Sequence, residues 1–394
     1  MRNEELDMVA YHGARADEQV WRAAKGEAAL VKPTPPSEFI YSTEFGFNAE
    51  MLWENMAGRG YLVPNDLFFV RQSSETPRIA AENWKLTVDG PGVTRPFELT
   101  YDQLLALPAV RSVVRGIECA GNGRVFYREI FGQDTYADDE DGGKVELPQW
   151  RLGAVGVAEW TGVQLGEVLE RAGVKPSARD VVPHGLDESQ MRRPMSMAKA
   201  MEDDTLLVYA MNGEPLPADH GFPVRVLTPG WIGNHSIKWV GRIEVAEEAV
   251  YTPWNTQYYV MVGPDYRPAP PSLGPIVDVQ VMKSALELAW PARLTPTPHT
   301  IGGRSWGPRG VARVEYSVDD GRTWAPARLS EPSEPTAWVQ WSFDWEPAPG
   351  EYRIRARAID PQGNAQPDAV PFNQQGYNYG AVVAHPVTVT STPS

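Results

Sequence analysis

Apolar residues recur at intervals of three and four along one segment in the first half of the chain. The segment is TGVQLGEVLERAGV at 161–174, and its apolar positions are Leu165, Val168, Leu169 and Ala172. This period is typical of a helix with one buried face. Thr161 is the expected N-cap and Gly173 the expected end of the helix, because threonine can accept the first backbone N–H bonds and glycine tolerates the left-handed backbone at a helix end.

Shorter patterns surround this helix. Thr100 before YDQLLALP predicts a second helix, which ends by Pro108. The apolar run LFFVRQ predicts a buried strand, and NWKLTVDGPG predicts a strand followed by a turn. The prolines of 31–40 predict an extended segment, and the acidic stretch 135–144 predicts an exposed loop. The first 260 or so residues therefore mix helices and strands.

After the proline-rich stretch 264–275 the pattern changes to a period of two. Val314, Tyr316 and Val318 alternate with polar residues, and Asp320-Gly321 predicts a hairpin turn. A second alternating segment carries Tyr352, Ile354, Ala356 and Ala358. Strands of this kind predict an all-β sandwich. The fold class is therefore α+β followed by all-β, with a boundary near residue 265.

Length and composition are those of a globular protein with more than one domain. The chain has 394 residues, of which 42% are hydrophobic and 22% charged. The sequence has no apolar run of about 18 residues, so we expect no membrane span. The first 30 residues also lack the apolar stretch of a signal peptide. We expect a cytoplasmic protein as the sequence is written, or a periplasmic one if a leader has been removed.

The net charge of −15 argues against a nucleic-acid partner, which requires a basic surface. Residues 1–262 carry 25 Lys and Arg against 38 Asp and Glu, whereas 263–394 carry 11 against 13. An acidic first domain can attract a basic partner, although acidic residues also simply keep a protein soluble.

Cys119 is the only cysteine, and it lies in RGIECAGNGR at 115–124. A lone cysteine is often an inert buried residue. Here the glycines predict a tight loop, and the flanking Arg115 and Arg124 favour the thiolate, which suits a soft metal ligand or a nucleophile. None of the six histidines has a pattern that places a base beside it, and no pattern supplies the other ligands of a zinc site. The remaining possibility is that Cys119 binds a metal whose other ligands mostly come from a cofactor.

Four separated motifs resemble those of the sulfite oxidase family of molybdenum enzymes. They are ECAGNGR, WRLGAVGVAEWTGVQLGEVLERAGV, MNGEPLPADHGFPVRVLTPGWIGNHSIKW and VEYSVDDGRTW, and the resemblance covers roughly residues 60–390. It implies an N-terminal extension (1–60), a molybdopterin-binding catalytic domain (61–264) and an immunoglobulin-like dimerisation domain (265–394). It also implies a molybdenum-molybdopterin cofactor, with Cys119 as the protein ligand to the metal.

The resemblance also assigns roles to individual residues. It implies that Arg71, Arg124, Trp150 and Tyr259 form the substrate site, with Tyr258 as the neighbouring candidate for the tyrosine. The residues implied to contact the cofactor are Phe69, Arg71, Gln72, Ser73, Asp187, His220, Arg225, Ser236, Ile237 and Lys238. Arginine and lysine near turns suit the pterin phosphate, but the same cations also form ordinary salt bridges.

Three departures from the family pattern concern the substrate. Gly123 stands where the family has the first arginine of CAGNRR, and Ser73 stands where it has a histidine. The segment AWVQWSFDW lacks an arginine that helps to bind sulfite in animal enzymes. The resemblance therefore implies oxidation of sulfite or a related reduced sulfur oxyanion. A sulfane sulfur dehydrogenase, a sulfoxide or nitrate reductase, and a non-catalytic binding module that retains the fold are the alternatives.

The sequence also bears on partners. It contains no haem-attachment motif and leaves no room for a flavin domain, so we expect electrons to leave to a separate acceptor, for which a basic c-type cytochrome is a candidate. The resemblance implies a homodimer.

Overall fold

A computed structural model describes residues 19–22, 29–32, 39–42, 48–138, 143–334 and 336–391 of the chain. Its helices are short: α1 Tyr101–Leu105, α2 Val125–Phe131, α3 Leu165–Arg171, α4 Met197–Ala200 and α5 Pro253–Thr256. The described 3-10 turns are Trp53–Met56, Ala81–Asn83, Ala218–His220 and Gly233–His235. In the predicted extended segment 31–40, residues 33–38 lie outside the described part of the chain.

The first 260 residues contain strands β1 to β17. They are β1 Gln19–Arg22, β2 Ala29–Lys32, β3 Phe39–Ser42, β4 Asn48–Met51, β5 Val70–Arg71, β6 Lys85–Asp89, β7 Phe97–Thr100, β8 Val110–Glu118, β9 Tyr136–Asp138, β10 Lys144–Glu146, β11 Val155–Gln164, β12 Asp180–Gly185, β13 Met195–Ser196, β14 Leu206–Met211, β15 Glu214–Pro215, β16 Arg225–Leu227 and β17 Val240–Ala246.

These strands form two five-stranded sheets and three small ones. One large sheet has the order β15-β14-β11-β8, with β16 also paired to β14, and the other has the order β13-β12-β17-β6-β7. The small sheets are β1-β2, β9-β10 and β3-β4-β5. All the pairings of β8, β11 and β14 are antiparallel, while β17 and β6 run parallel. The predicted mixture of helices and strands is confirmed.

The predicted helix exists, but it begins later than expected. Leu165, Val168, Leu169 and Ala172 are fully buried, as the spacing requires. Thr161 is not its cap, because β11 continues through Thr161 to Gln164 and the helix starts at Leu165. Strand pairing therefore overrides the local capping preference. By contrast, Thr100 caps α1 as predicted, in a capping box with Gln103.

Two other expectations need correction. The LFFVRQ segment is buried, but only Val70–Arg71 is a strand. In the predicted loop 135–144, β9 and β10 pair as an antiparallel ladder, and residues 139–142 lie outside the described part. Backbone pairing thus orders a stretch whose composition alone suggested a loop.

The second half is a sandwich of two sheets built from β18 to β26. The strands are β18 Lys283–Leu286, β19 Ala292–Leu294, β20 His299–Trp306, β21 Arg313–Ser317, β22 Ala325–Pro326, β23 Arg328–Ser330, β24 Trp338–Trp345, β25 Gly350–Ile359 and β26 Ala384–Val389. The sheet orders are β18-β20-β24-β23 and β19-β26-β25-β21-β22, and one apolar core draws residues from both sheets. The immunoglobulin-like architecture is confirmed. Asp320 and Gly321 have φ of 62° and 87°, which suits the predicted turn.

The predicted boundary near residue 265 falls in a looped segment that packs on the first half. Val260 pairs with Ile276, and Trp231 pairs with Val279, each through an isolated antiparallel bridge. One large apolar cluster also combines residues such as Trp53 with Trp306 and Trp338. The two halves therefore share buried surface, and the boundary itself stays a prediction.

Candidate active site

Cys119 follows directly after β8, at the start of a tight loop. Its backbone N–H donates to Ala154 O at 2.9 Å, and its own carbonyl accepts from the N–H of Asn122 at 2.9 Å. A Cβ at Gly121 would lie 2.4 Å from Nη2 of Arg124, so only glycine lets that guanidinium lie against the loop. The thiol is buried, and α2 begins six residues later at Val125.

Cys119 lies on the wall of a cavity together with most of the predicted site residues. The predicted residues that line it are Phe69, Arg71, Gln72, Ser73, Asp187, His220, Arg225, Ser236, Ile237, Lys238 and Tyr259. They come from five separated segments, which are the end of β5, the loop after β12, the Ala218–His220 turn with β16, the turn before β17, and the stretch after α5. The structure thus brings one thiol, one tyrosine and several cations to one cavity.

Two buried cations of this cavity, Arg225 and Lys238, bond mainly to neutral oxygens. The Arg225 guanidinium donates to the carbonyls of His220 and Ser236, both at 3.0 Å, and burial lowers its pKa to about 9. Nζ of Lys238 donates to Gln72 Oε1 at 2.9 Å and to Asp219 O at 2.8 Å. Burial lowers the pKa of Lys238 to about 7, although the carboxylate of Asp219 opposes the effect. Buried cations bonded mainly to neutral oxygens favour a bound anion.

Two predicted substrate residues do not line the cavity. Arg124 is buried and donates to the carbonyls of Gln375 at 2.9 Å and Pro148 at 2.6 Å. Burial lowers its pKa, and its charge still interacts with Cys119. Trp150 is buried in the apolar cluster that includes Cys119, and its Nε1 has no partner among the described residues.

The other flanking cation, Arg115, differs from the expectation. Its Nε lies 2.8 Å from Asp204, and its Nη1 lies 3.9 Å from Glu334. These ion pairs compensate its charge, whereas Arg124 has an electrostatic interaction with Cys119.

Sequence reasoning missed several residues of the cavity wall. They are Phe68, Ile117, Ala120, Ser189, Met191, Asp219, Gly233, Asn234 and Trp239. Asn234 and Asp187 have side-chain polar atoms that are buried without a partner among the described residues. Most of them are next to residues that the family motifs do predict. This closeness in the sequence is the only feature that could have indicated them.

A metal site made by the protein alone is not seen in the described ranges. There, no three His, Cys, Asp or Glu side chains cluster in a way that could hold an ion. Cys119 would be one ligand of a metal that carries its others. None of the described helices is long and apolar enough to cross a membrane.

Comparisons with known proteins define the class. Residues 73–254 match an oxidoreductase molybdopterin-binding domain, and residues 289–388 match a molybdenum-cofactor oxidoreductase dimerisation domain. The chain therefore has the two domains of a molybdopterin oxidoreductase. The chain belongs, more particularly, to the sulfite oxidase family. The predicted family resemblance is confirmed.

The relatives of this chain include both sulfite oxidases and nitrate reductases. The chain is 33% identical to the mitochondrial sulfite oxidase of Mus musculus over 82% of its own length and 60% of that protein. It is 33% identical to the sulfite oxidase of Gallus gallus, covering 82% of this chain and 72% of the relative. A nitrate reductase of Hordeum vulgare is 29% identical over 84% of the chain and 39% of that protein. The chain thus spans well under the full length of some relatives.

A solved structure has the same architecture. The sulfane dehydrogenase SoxCD from Paracoccus pantotrophus matches with a TM-score of 0.77 and 26% identity, covering 90% of each chain. The relatives thus include a sulfite oxidase, a nitrate reductase and a sulfane dehydrogenase.

The donor set fits the cofactor that this family implies. A pterin phosphate needs buried cations, and Arg225 and Lys238 are buried cations without a full counter-charge. A pterin ring needs hydrogen-bonding groups, which Asp187 and Asn234 provide with unpartnered polar atoms. The metal needs a soft ligand, and Cys119 lies on the same wall. The residues present are therefore suited to the molybdenum-molybdopterin cofactor.

Proposed function

We propose that this protein oxidises sulfite, or a closely related reduced sulfur oxyanion, to sulfate and passes the electrons to a separate acceptor. The observation that carries the proposal is the shared cavity of Cys119, Arg71 and Tyr259. A soft metal ligand, an anion-binding cation and a hydrogen-bond donor meet there. The net reaction consumes sulfite and water and yields sulfate, two protons and two electrons.

In this proposal the chain's own residues hold the cofactor at two ends. Arg225, Lys238 and His220 bind the phosphate, and Cys119 binds the molybdenum. The other predicted contacts, Asp187, Ser236, Ile237, Phe69, Gln72 and Ser73, line the same cavity. When bound, the molybdenum centre supplies oxygen-atom transfer and accepts the two electrons.

The protein positions the anion and supplies charge. Arg71 reaches into the cavity and pairs with the oxyanion, while Arg124 adds positive charge from outside the lining. Burial raises the pKa of Tyr259, so its hydroxyl keeps its proton and donates a hydrogen bond to a substrate oxygen. Trp150 excludes water from this side as part of the apolar cluster around Cys119.

A second candidate is the oxidation of sulfane sulfur, which is favoured by the structural similarity to the sulfane dehydrogenase. The missing arginine in AWVQWSFDW supports a substrate other than sulfite. A nitrate reductase is also among the relatives, and it would run electrons in the opposite direction. A non-catalytic module would need no molybdenum at all.

Steady-state kinetics separate these candidates. Purified enzyme is supplied with an artificial electron acceptor and sulfite, with the same acceptor and a persulfide, and with a reduced dye and nitrate. We expect the highest kcat/KM with sulfite. A higher value with the persulfide or nitrate would overturn the sulfite assignment but keep the cofactor site.

We also propose that the catalytic domain spans 61–264 and that 265–394 joins two chains into a homodimer. The match of 289–388 to a dimerisation domain supports this assembly. The acceptor is a separate protein or molecule, and the acidic first half favours a basic cytochrome.

A further inference from the structure

Tyr259 is one member of a stack of four side chains. Its ring is stacked on that of Tyr377, with the ring centroids 5.0 Å apart and an interplanar angle of 15°. The Arg193 guanidinium carbon lies 5.6 Å from the centre of the Tyr259 ring, and that of Arg124 lies 5.2 Å from the centre of the Tyr377 ring. Two cations therefore flank two stacked phenols, at distances where each pair attracts.

The Arg193 end of the stack is fixed by hydrogen bonds. Nη2 of Arg193 donates to Val277 O and to Asp278 Oδ1, both at 2.9 Å. Its Nε lies 3.2 Å from Nε2 of His235, which is also 3.0 Å from Asp278. Burial lowers the pKa of His235 to about 4, so this imidazole is neutral and Asp278 is the counter-charge of Arg193. The remaining Nη1 is buried and has no partner among the described residues.

The other end is fixed from the sandwich half of the chain. Tyr377 is buried beside Ala120, the neighbour of Cys119, in one apolar cluster with Tyr259. Gly376 precedes it with φ of 63°, and a Cβ there would lie 2.6 Å from Cγ of Arg124. Close approach of Tyr377 to Arg124 therefore depends on this glycine.

Within the stack, Tyr259 alone lines the cavity. Its φ is 56°, a backbone conformation that a tyrosine adopts only when its surroundings impose it. Its side chain lies on the cavity wall, where its hydroxyl can donate a hydrogen bond to an anion in the cavity. The stacking on Tyr377, together with the hydrogen bond between the Tyr377 hydroxyl and the Tyr259 backbone, thus holds this ring at the wall.

We infer that Arg193 and Tyr377 are positioning residues, which fix the Tyr259 ring and direct its hydroxyl to an oxyanion in the cavity. Tyr377 supplies the flat surface on which the ring rests. Arg193, held by Asp278, packs its guanidinium against the other face of the Tyr259 ring. This inference rests on the proposed oxyanion site, and it assigns part of that site's affinity to residues that do not line it.

The experiment uses the full chain with its cofactor and sulfate as the probe anion. Sulfate binding is measured by calorimetry, and kcat and KM for sulfite are measured separately. The variants are Tyr377→Leu, which removes the stacked ring, Tyr377→Phe, which keeps it, and Arg193→Met, which removes the cation. Arg193→Lys is the second choice if Arg193→Met does not fold.

Two matched controls remove similar groups elsewhere. Tyr316→Leu removes a ring that stacks on Phe343 at 3.8 Å within the sandwich. Arg304→Met removes a buried arginine that pairs with Glu287 at 2.7 Å and lies over the ring of Trp338 at 4.5 Å. Neither control residue lines the cavity. They show how far the loss of a packed side chain outside the site changes sulfate binding through a change in stability alone.

We expect Tyr377→Leu and Arg193→Met to weaken sulfate binding and to raise KM for sulfite, each by about tenfold, with a smaller change in kcat. Both controls stay within about twofold of wild type, whereas Tyr377→Phe, which keeps the ring but loses the hydroxyl's hydrogen bond to the Tyr259 backbone, falls between wild type and Tyr377→Leu. Unchanged sulfate binding in Tyr377→Leu and Arg193→Met would overturn the inference. If the wild type binds sulfate but does not oxidise sulfite, the proposed function fails while the binding comparison still decides on the stack.

Discussion

Lys283 forms a buried ion pair with Glu118, one residue before Cys119. Nζ of Lys283 lies 2.7 Å from Glu118 Oε1 and 2.6 Å from the carbonyl of Asn122. Lys283 is the first residue of β18, so the sandwich reaches into the loop that carries the thiol. The Asn122 side chain adds a bond to Glu118 at 3.0 Å and accepts from Ala154 N at 3.0 Å. This network fixes both sides of Cys119.

Breaking this pair should cost substantial stability. Lys283→Met leaves the Glu118 carboxylate buried without its partner, which lowers the free energy of unfolding by about 3–5 kcal/mol. Lys85→Met is the control, because its pair with Glu98 is 3.5 Å long and well exposed, and it should cost less than about 1 kcal/mol. Denaturant unfolding of both variants measures the difference. Equal losses of unfolding free energy in the two variants would show that the buried pair contributes no more than the exposed one.

Anion binding by the cofactor-free protein should depend on Lys238. Because burial lowers the pKa of Lys238 to about 7, it is mostly charged at about pH 6 and mostly neutral at about pH 8. An anion favours the charged form. Pyrophosphate should therefore bind wild type more tightly than Lys238→Met at the lower pH. The ratio of the two affinities should be smaller at the higher pH.

Calorimetry in buffers of different ionisation enthalpy checks the same point. Wild type should take up a proton when it binds pyrophosphate at about pH 8, and Lys238→Met should take up less. A ratio of affinities that does not change with pH would contradict the assignment of Lys238 to the phosphate end of the cavity.

Stability should fall with rising pH because of Glu50. This carboxyl accepts bonds from Arg151 N at 2.9 Å and Gly153 N at 2.9 Å, yet burial raises its pKa from 4.5 to about 7. The folded protein holds the proton more tightly than the unfolded chain does. The stability from this group is thus complete below about pH 4.5 and lost as pH rises to about 7, a total of about 3 kcal/mol.

Glu50→Gln should remove this pH dependence. Its unfolding free energy, measured by denaturant at several pH values between about 4.5 and 7, should change less across the window than that of wild type. An identical slope in the variant would mean that other groups cause the dependence.

Electron transfer to a basic cytochrome should weaken as salt is added. The first 262 residues carry a net charge of −13, and opposite charges attract over about 8–10 Å at moderate ionic strength. The second-order rate should drop by about tenfold or more between low and high salt. A rate independent of ionic strength would argue against an acceptor that is recognised by charge.

Patterns within a few neighbouring residues correctly predicted the helices α1 and α3. The buried face of α3 follows from its spacing, and Thr100 caps α1 because the capping box lies within four residues. Thr161 does not cap α3, because its place in β11 depends on pairing with Ser112, which is far away in the sequence. The ladder of β9 and β10 likewise depends on pairing that composition does not reveal.

Some residues of the candidate site could be predicted from the sequence, and others are apparent only in the folded structure. Motifs of the family led to Cys119, Arg71 and Lys238, which the structure places around one cavity. Arg193, Tyr377 and Lys283 lie in segments without such motifs, and they reach the site only through the tertiary fold. Residue type alone could not find them, because a buried arginine, tyrosine or lysine has no periodic signature.

The most direct test of the central claim is the rate of sulfite-dependent dye reduction, normalised to molybdenum per chain, for wild type and Cys119→Ser. We expect about one molybdenum per chain and sulfite turnover in wild type, and no turnover in a Cys119→Ser variant that keeps its fold. Wild-type protein without molybdenum, made in cells able to supply the cofactor, would contradict the account. So would a Cys119→Ser variant that turns over sulfite like wild type.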